Sequence, residues 1–396
     1  MNISFNNTEN AFAYKTDKEL KEAKSLFSTI RYPFFVPIGT KLTPFLMKTG
    51  LPIHGMIRNT IFKQFIGAET LQETAPLIAS LEKHGVNVIL DYCVEKNKSE
   101  EDFDIATEEF IKGIYYAASK KNVPFISIKI SSIARLGLLE VLNEAPRIRS
   151  GIHDHEEEME EWNMVRKRML RICETAANNN IRILIDAEQS WIQDPIDRLA
   201  IEMMQTFNKE KVIVYNTIQL YLKDRLRFLN ILHRIGRQNN FTLGIKLVRG
   251  IYMDKEKSSA FLNNAPSPLQ SDKAHTDHDY NAAINYCIDN FEEISCIIAS
   301  QNEESNLLAF GLMQKIGLAV NHPHIYFAQL YGMSDNITFN LAKAGCNVSK
   351  YLPFGSIKET IPYLMRRAQE NSGATGRPTK EIGLIDMELE RRKKRS

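Results

Sequence analysis

Two adjacent arginines on one helical face, beside a tyrosine, can grip a small anion. From Tyr351 to Asn371 the chain reads YLPFGSIKETIPYLMRRAQEN. In a helix that starts after Ser356, positions i, i+3, i+4 and i+7 share a face. Those positions hold Tyr363, Arg366, Arg367 and Glu370. Two guanidiniums offer bidentate hydrogen bonds to a carboxylate or phosphate, and Tyr351 with Tyr363 could sandwich an apolar ring. The plainer reading is a solvated outer helix with Arg–Glu pairs worth about a few tenths of a kcal/mol each.

What decides between these readings is the remainder of the chain. Short β-branched runs recur at 86–92, 123–131, 181–188, 212–219, 242–250, 295–300, 325–330 and 347–352, each followed by helical patterning. Near-continuous apolar runs suit strands buried on both faces of a parallel sheet, and parallel pairing needs crossover helices. Eight such units in series predict an α/β fold, a (βα)8 TIM-type barrel, over an open doubly wound sheet. Polar groups end nearly every run: Asp91, Lys129, Asp186 with Glu188, Gln219, Lys246 with Arg249, and Ser300 with Gln301 and Asn302. Leu330 and Tyr351 end the last two. In this fold the strand C-termini carry the active site, so convergent polar groups predict a pocket for a charged ligand. Lys129 and Asp186 alone would be read as a buried ion pair. With Tyr351 at the end of the eighth strand, Ser356 and Glu359 form a capping box that starts the arginine helix at the barrel mouth, and Pro362 predicts a bend.

Residues 1–85 stand outside the alternation and predict an N-terminal helical arm. The barrel domain is expected over 86–375 and a basic tail over 376–396. The charged stretch 147–171 predicts a solvated helix between the second and third strands. Of 396 residues 43% are hydrophobic and 25% charged, with a net charge of +2, which gives no general drive toward nucleic acid. No apolar run spans a bilayer, the start does not read as a secretory or transit peptide, and five cysteines without a C-x-x-C pair suit reduced thiols. A cytoplasmic protein is expected, with the inner face of the cell membrane as its one peripheral station.

LDYCVE, SIKI, LIDAEQ, KLVRGIYMD and YLPFG…YLMRRAQENSG, in this order, resemble the monofunctional, FAD-dependent proline dehydrogenases from about residue 65 to 373. The resemblance implies a distorted (βα)8 barrel that oxidises L-proline to Δ1-pyrroline-5-carboxylate. Hydride passes to FAD and electrons then pass to a membrane quinone, in proline catabolism. It implies that Arg366, Arg367 and Lys129 bind the carboxylate, that Tyr351, Tyr363, Tyr252 and Leu330 line the ring, that Asp186 orients the cations, and that Glu95 pairs with Arg366 to close the site. For FAD it implies Gln219, Lys246, Val248, Arg249, Gly250, Ser300, Gln301 and Asn302, with Lys273 near the phosphates and Glu370 at the flavin. Gln301 stands where relatives commonly have histidine. No G-x-G-x-x-G fingerprint is present, and no acid–base triad is apparent, as expected where a cofactor carries the redox chemistry. A separate pyrroline-5-carboxylate dehydrogenase would take the product.

A metal is not expected: the pairs His153/His155 and His275/His278 lack further ligands. The tail ELERRKKRS is the only basic block, read as a frayed terminus or an anionic-membrane contact rather than a nucleic-acid adaptor. The alternatives are a hydroxyproline dehydrogenase, against which the bulk of Tyr351 speaks, and a catalytically silent barrel that serves as a binding protein.

Overall fold

The chain is described by a computed structural model covering residues 3–31, 54–93, 99–144, 156–371 and 377–395. Eight parallel strands close in sequence order: β1 Asn87–Tyr92, β2 Phe125–Ile128, β3 Arg182–Ile185, β4 Val214–Gln219, β5 Leu243–Val248, β6 Ile294–Ala299, β7 Ile325–Leu330 and β8 Val348–Phe354. Their side chains are buried at almost every position, which is why the runs lack a period-two alternation. Register is regular: Asn216 opposes Ile245, Lys246 opposes Ile297, and Asn87 opposes Ser349. The expected (βα)8 barrel is therefore what the chain forms.

The strands stop earlier than their apolar runs suggest. β2 ends at Ile128 and β3 at Ile185, so Lys129 and Asp186 lie on the exits, where polar side chains need not enter the sheet. β8 runs past Tyr351 to Phe354, because the N-terminal segment supports its end. Gly67 N–H donates to Pro353 O at 2.8 Å and Gly355 N–H to Ala68 O at 3.1 Å. The arginine helix, Ile357–Glu370, has the expected Ser356/Glu359 capping box and continues through Pro362. The helix expected to be solvated runs over Glu156–Asn178 and buries Val165, Met169 and Ile172.

The chain divides into two compact units, Met1–Val94 with Gln329–Ser396, and Glu95–Ala328. In the first, helix Asp17–Ile30, started by a Thr16/Glu19 capping box, shares an apolar cluster with helix Ile357–Glu370 and helix Arg377–Lys393. Leu20, Phe27, Phe65, Ile357, Leu364 and Leu384 are among its members. The tail is neither frayed nor a free basic block. Arg392 donates to the carbonyls of Phe12 and Lys15 and to Asp17, Arg391 and Arg392 both bind Glu388, and Arg395 binds Glu9. Burial pushes the Glu388 carboxyl up, but hydrogen bonds from the two arginines outweigh it and hold the group at about 2.

Candidate functional site

In the unit Glu95–Ala328, the exits of β2, β3, β4 and β5 are tied together. Lys246, on β5 and 4% exposed, donates to the Asp186 carboxylate beyond β3. Asp186 N–H in turn donates to Ile128 O at 2.8 Å. Lys129 follows β2 and opens a single 3-10 turn, Ile130–Ser132. Glu188 clamps that turn, accepting from Ser131 N–H at 2.9 Å and Ser131 Oγ at 2.6 Å. Gln219, at the end of β4, donates to the Glu188 carbonyl at 2.7 Å. Burial raises the Glu188 carboxyl above its ordinary range, and the Ser131 hydrogen bonds and Lys129 charge oppose this only in part.

A second cluster forms where β5 faces β6. Arg249 donates to Asp277 at 2.6 Å, Ser300 Oγ at 2.8 Å and Ser305 Oγ at 2.9 Å, and its guanidinium lies 4.2 Å from the Tyr280 ring centroid. Lys273 also donates to Asp277. Although burial lifts it, the Asp277 carboxyl sits below its ordinary range because Lys273 and Arg249 bind it. Asn302 caps helix Glu303–Lys315 by accepting from Ser305 N–H at 2.9 Å, with half-buried Gln301 beside it. After Val248, Gly250 has φ +130°, and a Cβ there would lie 2.2 Å from the Tyr221 ring. Only glycine fits so close an approach. Tyr252, 7% exposed, starts helix Met253–Leu262.

In the unit that joins Met1–Val94 to Gln329–Ser396, Tyr351 is half-buried on β8. Arg367 is 3% exposed, donates to Glu370 at 2.7 Å and lies 5.0 Å from the Tyr363 ring centroid. The Tyr363 hydroxyl and the Arg367 Nε are both buried without a hydrogen-bond partner among the described residues. Such groups carry a desolvation cost that a polar ligand would remove. Burial drives the Tyr363 phenol well above its ordinary pKa, with the Arg367 charge opposing, so it remains a hydrogen-bond donor. Arg366 is half-buried on the same helix, and Leu330 ends β7. Glu95 lies outside the described residues, as do His153 and His155.

Sequence reading missed the partners. Asp277, Ser305 and Glu256 do not end apolar runs, Ser131 closes the run 123–131 without standing out from it, and only Asp277, four residues after Lys273, carried a local signal. Lys350, 0% exposed, was hidden beside Tyr351. It pairs with Asp335 at 2.8 Å and donates to the carbonyls of Leu330 at 3.2 Å and Met333 at 2.5 Å. Among the described residues no group of three or more His, Cys, Asp or Glu side chains could hold a metal ion. His275 and His278 instead meet Asp272 and Asp279. No described helix is long and apolar enough to cross a membrane.

The donor set in the larger unit has the chemistry of a dinucleotide cradle. Lys246, Arg249 and Lys273 bring cationic groups, each held by a carboxylate, Gln219, Ser300 and Asn302 bring polar side chains, and Gly250 leaves its backbone bare. The residues present therefore fit FAD.

The family model described as proline dehydrogenase matches residues 75–380. The chain is 33% identical over 338 residues to the carbapenem antibiotics biosynthesis protein CarD of Pectobacterium carotovorum subsp. carotovorum, covering 85% of this chain and 86% of that protein. It is 32% identical to mitochondrial proline dehydrogenase 1 of Arabidopsis thaliana, covering 85% and 75%. Among solved structures it superposes on proline utilization A of Bdellovibrio bacteriovorus inactivated by N-propargylglycine. That match has a TM-score of 0.72 at 19% identity and covers 92% of this chain, which spans only 41% of the larger one. The long family match and the two relatives matched over most of their length together establish that the chain belongs to the proline dehydrogenase family.

Proposed function

We propose that this protein oxidises L-proline to Δ1-pyrroline-5-carboxylate with FAD, passing the electrons to a membrane quinone in proline catabolism. The observation that carries the reading is the Tyr363–Arg367 pair, a buried phenol and guanidinium with hydrogen-bonding capacity left over. Proline is a zwitterion with a carboxylate and an aliphatic ring. Arg366, Arg367 and Lys129 would bind the carboxylate through charge-assisted hydrogen bonds. Tyr351, Tyr363, Tyr252 and Leu330 would hold the ring, fixing one C–H for transfer.

Bound FAD would supply the hydride acceptor. Gln219, Lys246, Val248, Arg249, Gly250 and Ser300 would hold it, with Gln301, Asn302, Lys273 and Glu370 completing the set. Asp186 would fix the Lys246 ammonium, which is why that pair is kept where apolar packing would be more stable. A separate dehydrogenase would consume the pyrroline product.

The test is the visible absorption spectrum of the purified chain under anaerobic conditions. A flavin spectrum that bleaches with L-proline and persists with 4-hydroxyproline is expected, because Tyr351 fills the space a hydroxyl would need. Bleaching by 4-hydroxyproline instead would move the substrate. A chain that stays colourless after FAD is supplied would make it a silent binding protein.

A further inference from the structure

Helix Met253–Leu262 leaves the β5 exit with its inner side fixed and its far end bare. Glu256 is 1% exposed and accepts from Ser190 N–H at 2.8 Å and Ser190 Oγ at 2.6 Å. At the other end, Phe261 is 86% and Leu262 80% exposed, and no other large apolar side chain among the described residues exceeds 59%. From Ser258 to Ser271 the sequence SSAFLNNAPSPLQS holds no ionisable side chain. Lys255 and Lys257 are exposed just before the tip. Exposed Lys223 lies beside the loop that follows, donating to Ser267 O at 3.0 Å. With Glu256 turned inward, Asp254 is the helix's one exposed acid.

A second copy of the chain is a poor cover for this feature. A stable interface buries about 800 Å² per partner, and two apolar side chains supply at most roughly half of that. A lipid surface accepts a small projection: apolar side chains sink below the headgroups and flanking lysines meet the phosphates. An uncharged tip avoids the cost of carrying ions into that layer. We propose that Phe261 and Leu262 form a contact with an anionic lipid surface, with Lys255 and Lys257 at the headgroup phosphates. The basic tail is a weaker anchor, because Arg391, Arg392 and Arg395 are bound within the chain. The inference stands apart from the redox reading, since the exposed tip and its lysines would attract lipid whatever the chain oxidises.

Co-sedimentation of the full chain with vesicles tests it. Binding is expected with equal parts phosphatidylcholine and phosphatidylglycerol, and about tenfold weaker binding with phosphatidylcholine alone. Phe261→Ser/Leu262→Ser should weaken binding to the mixed vesicles by at least about tenfold. Lys257→Glu should weaken it by roughly fivefold, with the difference fading in salt. A Phe261→Trp variant should shift its fluorescence to shorter wavelength on the same vesicles. Wild-type protein left in the supernatant with both compositions would overturn the proposal, and so would a double variant that binds like wild type. Light scattering that shows self-association lost in the double variant would assign the tip to a second copy. Flavin lost from a double variant of unchanged circular dichroism would assign it to the cofactor.

Discussion

At Arg367 one side chain meets opposing demands. It is almost fully buried, yet a guanidinium has five N–H groups to satisfy, and Glu370 is bound by only one of its terminal nitrogens. An amino-acid carboxylate would complete the set, through hydrogen bonds to a charged group worth roughly 1.5–3 kcal/mol. Replacing Arg367 with Met should therefore raise the KM for proline about ten- to a hundredfold while flavin content holds, measured by steady-state kinetics and flavin release. Arg367→Lys should recover only part of the loss, since an ammonium lacks the planar fork. Unchanged KM in both variants would remove the arginine from substrate binding. The helix spacing made Tyr363 and Arg367 legible, because the types that recognise carboxylates recur at i and i+4. It could not show which arginine Glu370 binds, since it stands four places from Arg366 and three from Arg367.

At the scale of elements, the strand runs were legible because burial on both faces leaves no polar positions inside them, and six of the eight exits announced themselves by a charge or amide. The ties between exits were illegible, because they join residues far apart in sequence. Glu256 reaches Ser190, on the helix after β3, and so fixes the segment from Gly250 to Tyr252 against a different βα unit. Tyr221 packs against Gly250 and shares the Glu256 carboxylate, its hydroxyl donating at 3.5 Å. Replacing Glu256 with Ala should leave two half-buried Ser190 donors unmatched, at a cost of about 1–2 kcal/mol. Amide exchange should then quicken over Met253–Leu262 before it does in β5, with the KM for proline rising more than kcat falls. Exchange that quickens uniformly over the unit would reduce Glu256 to a general stabiliser.

At the scale of the molecule, the two chain ends meet in one unit, and a buried ionic network joins them. Asp335 accepts from Tyr14 at 2.8 Å and Lys15 at 3.0 Å, pairs with fully buried Lys350, and adjoins Ser334, whose N–H donates to Glu381 of the C-terminal helix. Burial pushes the Asp335 carboxyl up, but the Lys15 and Lys350 ammonium groups outweigh it and hold the group at about 2, against an ordinary 3.8. A carboxyl with a lowered native pKa stabilises the fold above its unfolded value and loses that contribution as pH falls toward the native one. Asp335 should thus supply roughly 2 kcal/mol at pH 7, most of it lost between about pH 4 and pH 2 and the rest just below. Glu381, raised by burial and by the Asp335 charge, slopes the other way, so the comparison must be between wild type and Asp335→Asn. Urea unfolding at pH 7 should show the variant weaker by about 3–5 kcal/mol, because Lys350 is left buried without its counter-charge. That gap should narrow by roughly 2 kcal/mol as pH approaches 2. A gap independent of pH would mean that the carboxylate is not charged in the native network. The network was not visible in the sequence, where Tyr14, Asp335 and Glu381 look like unrelated surface letters and Lys350, inside the last apolar run, names no partner, since an ion pair leaves no periodicity behind it.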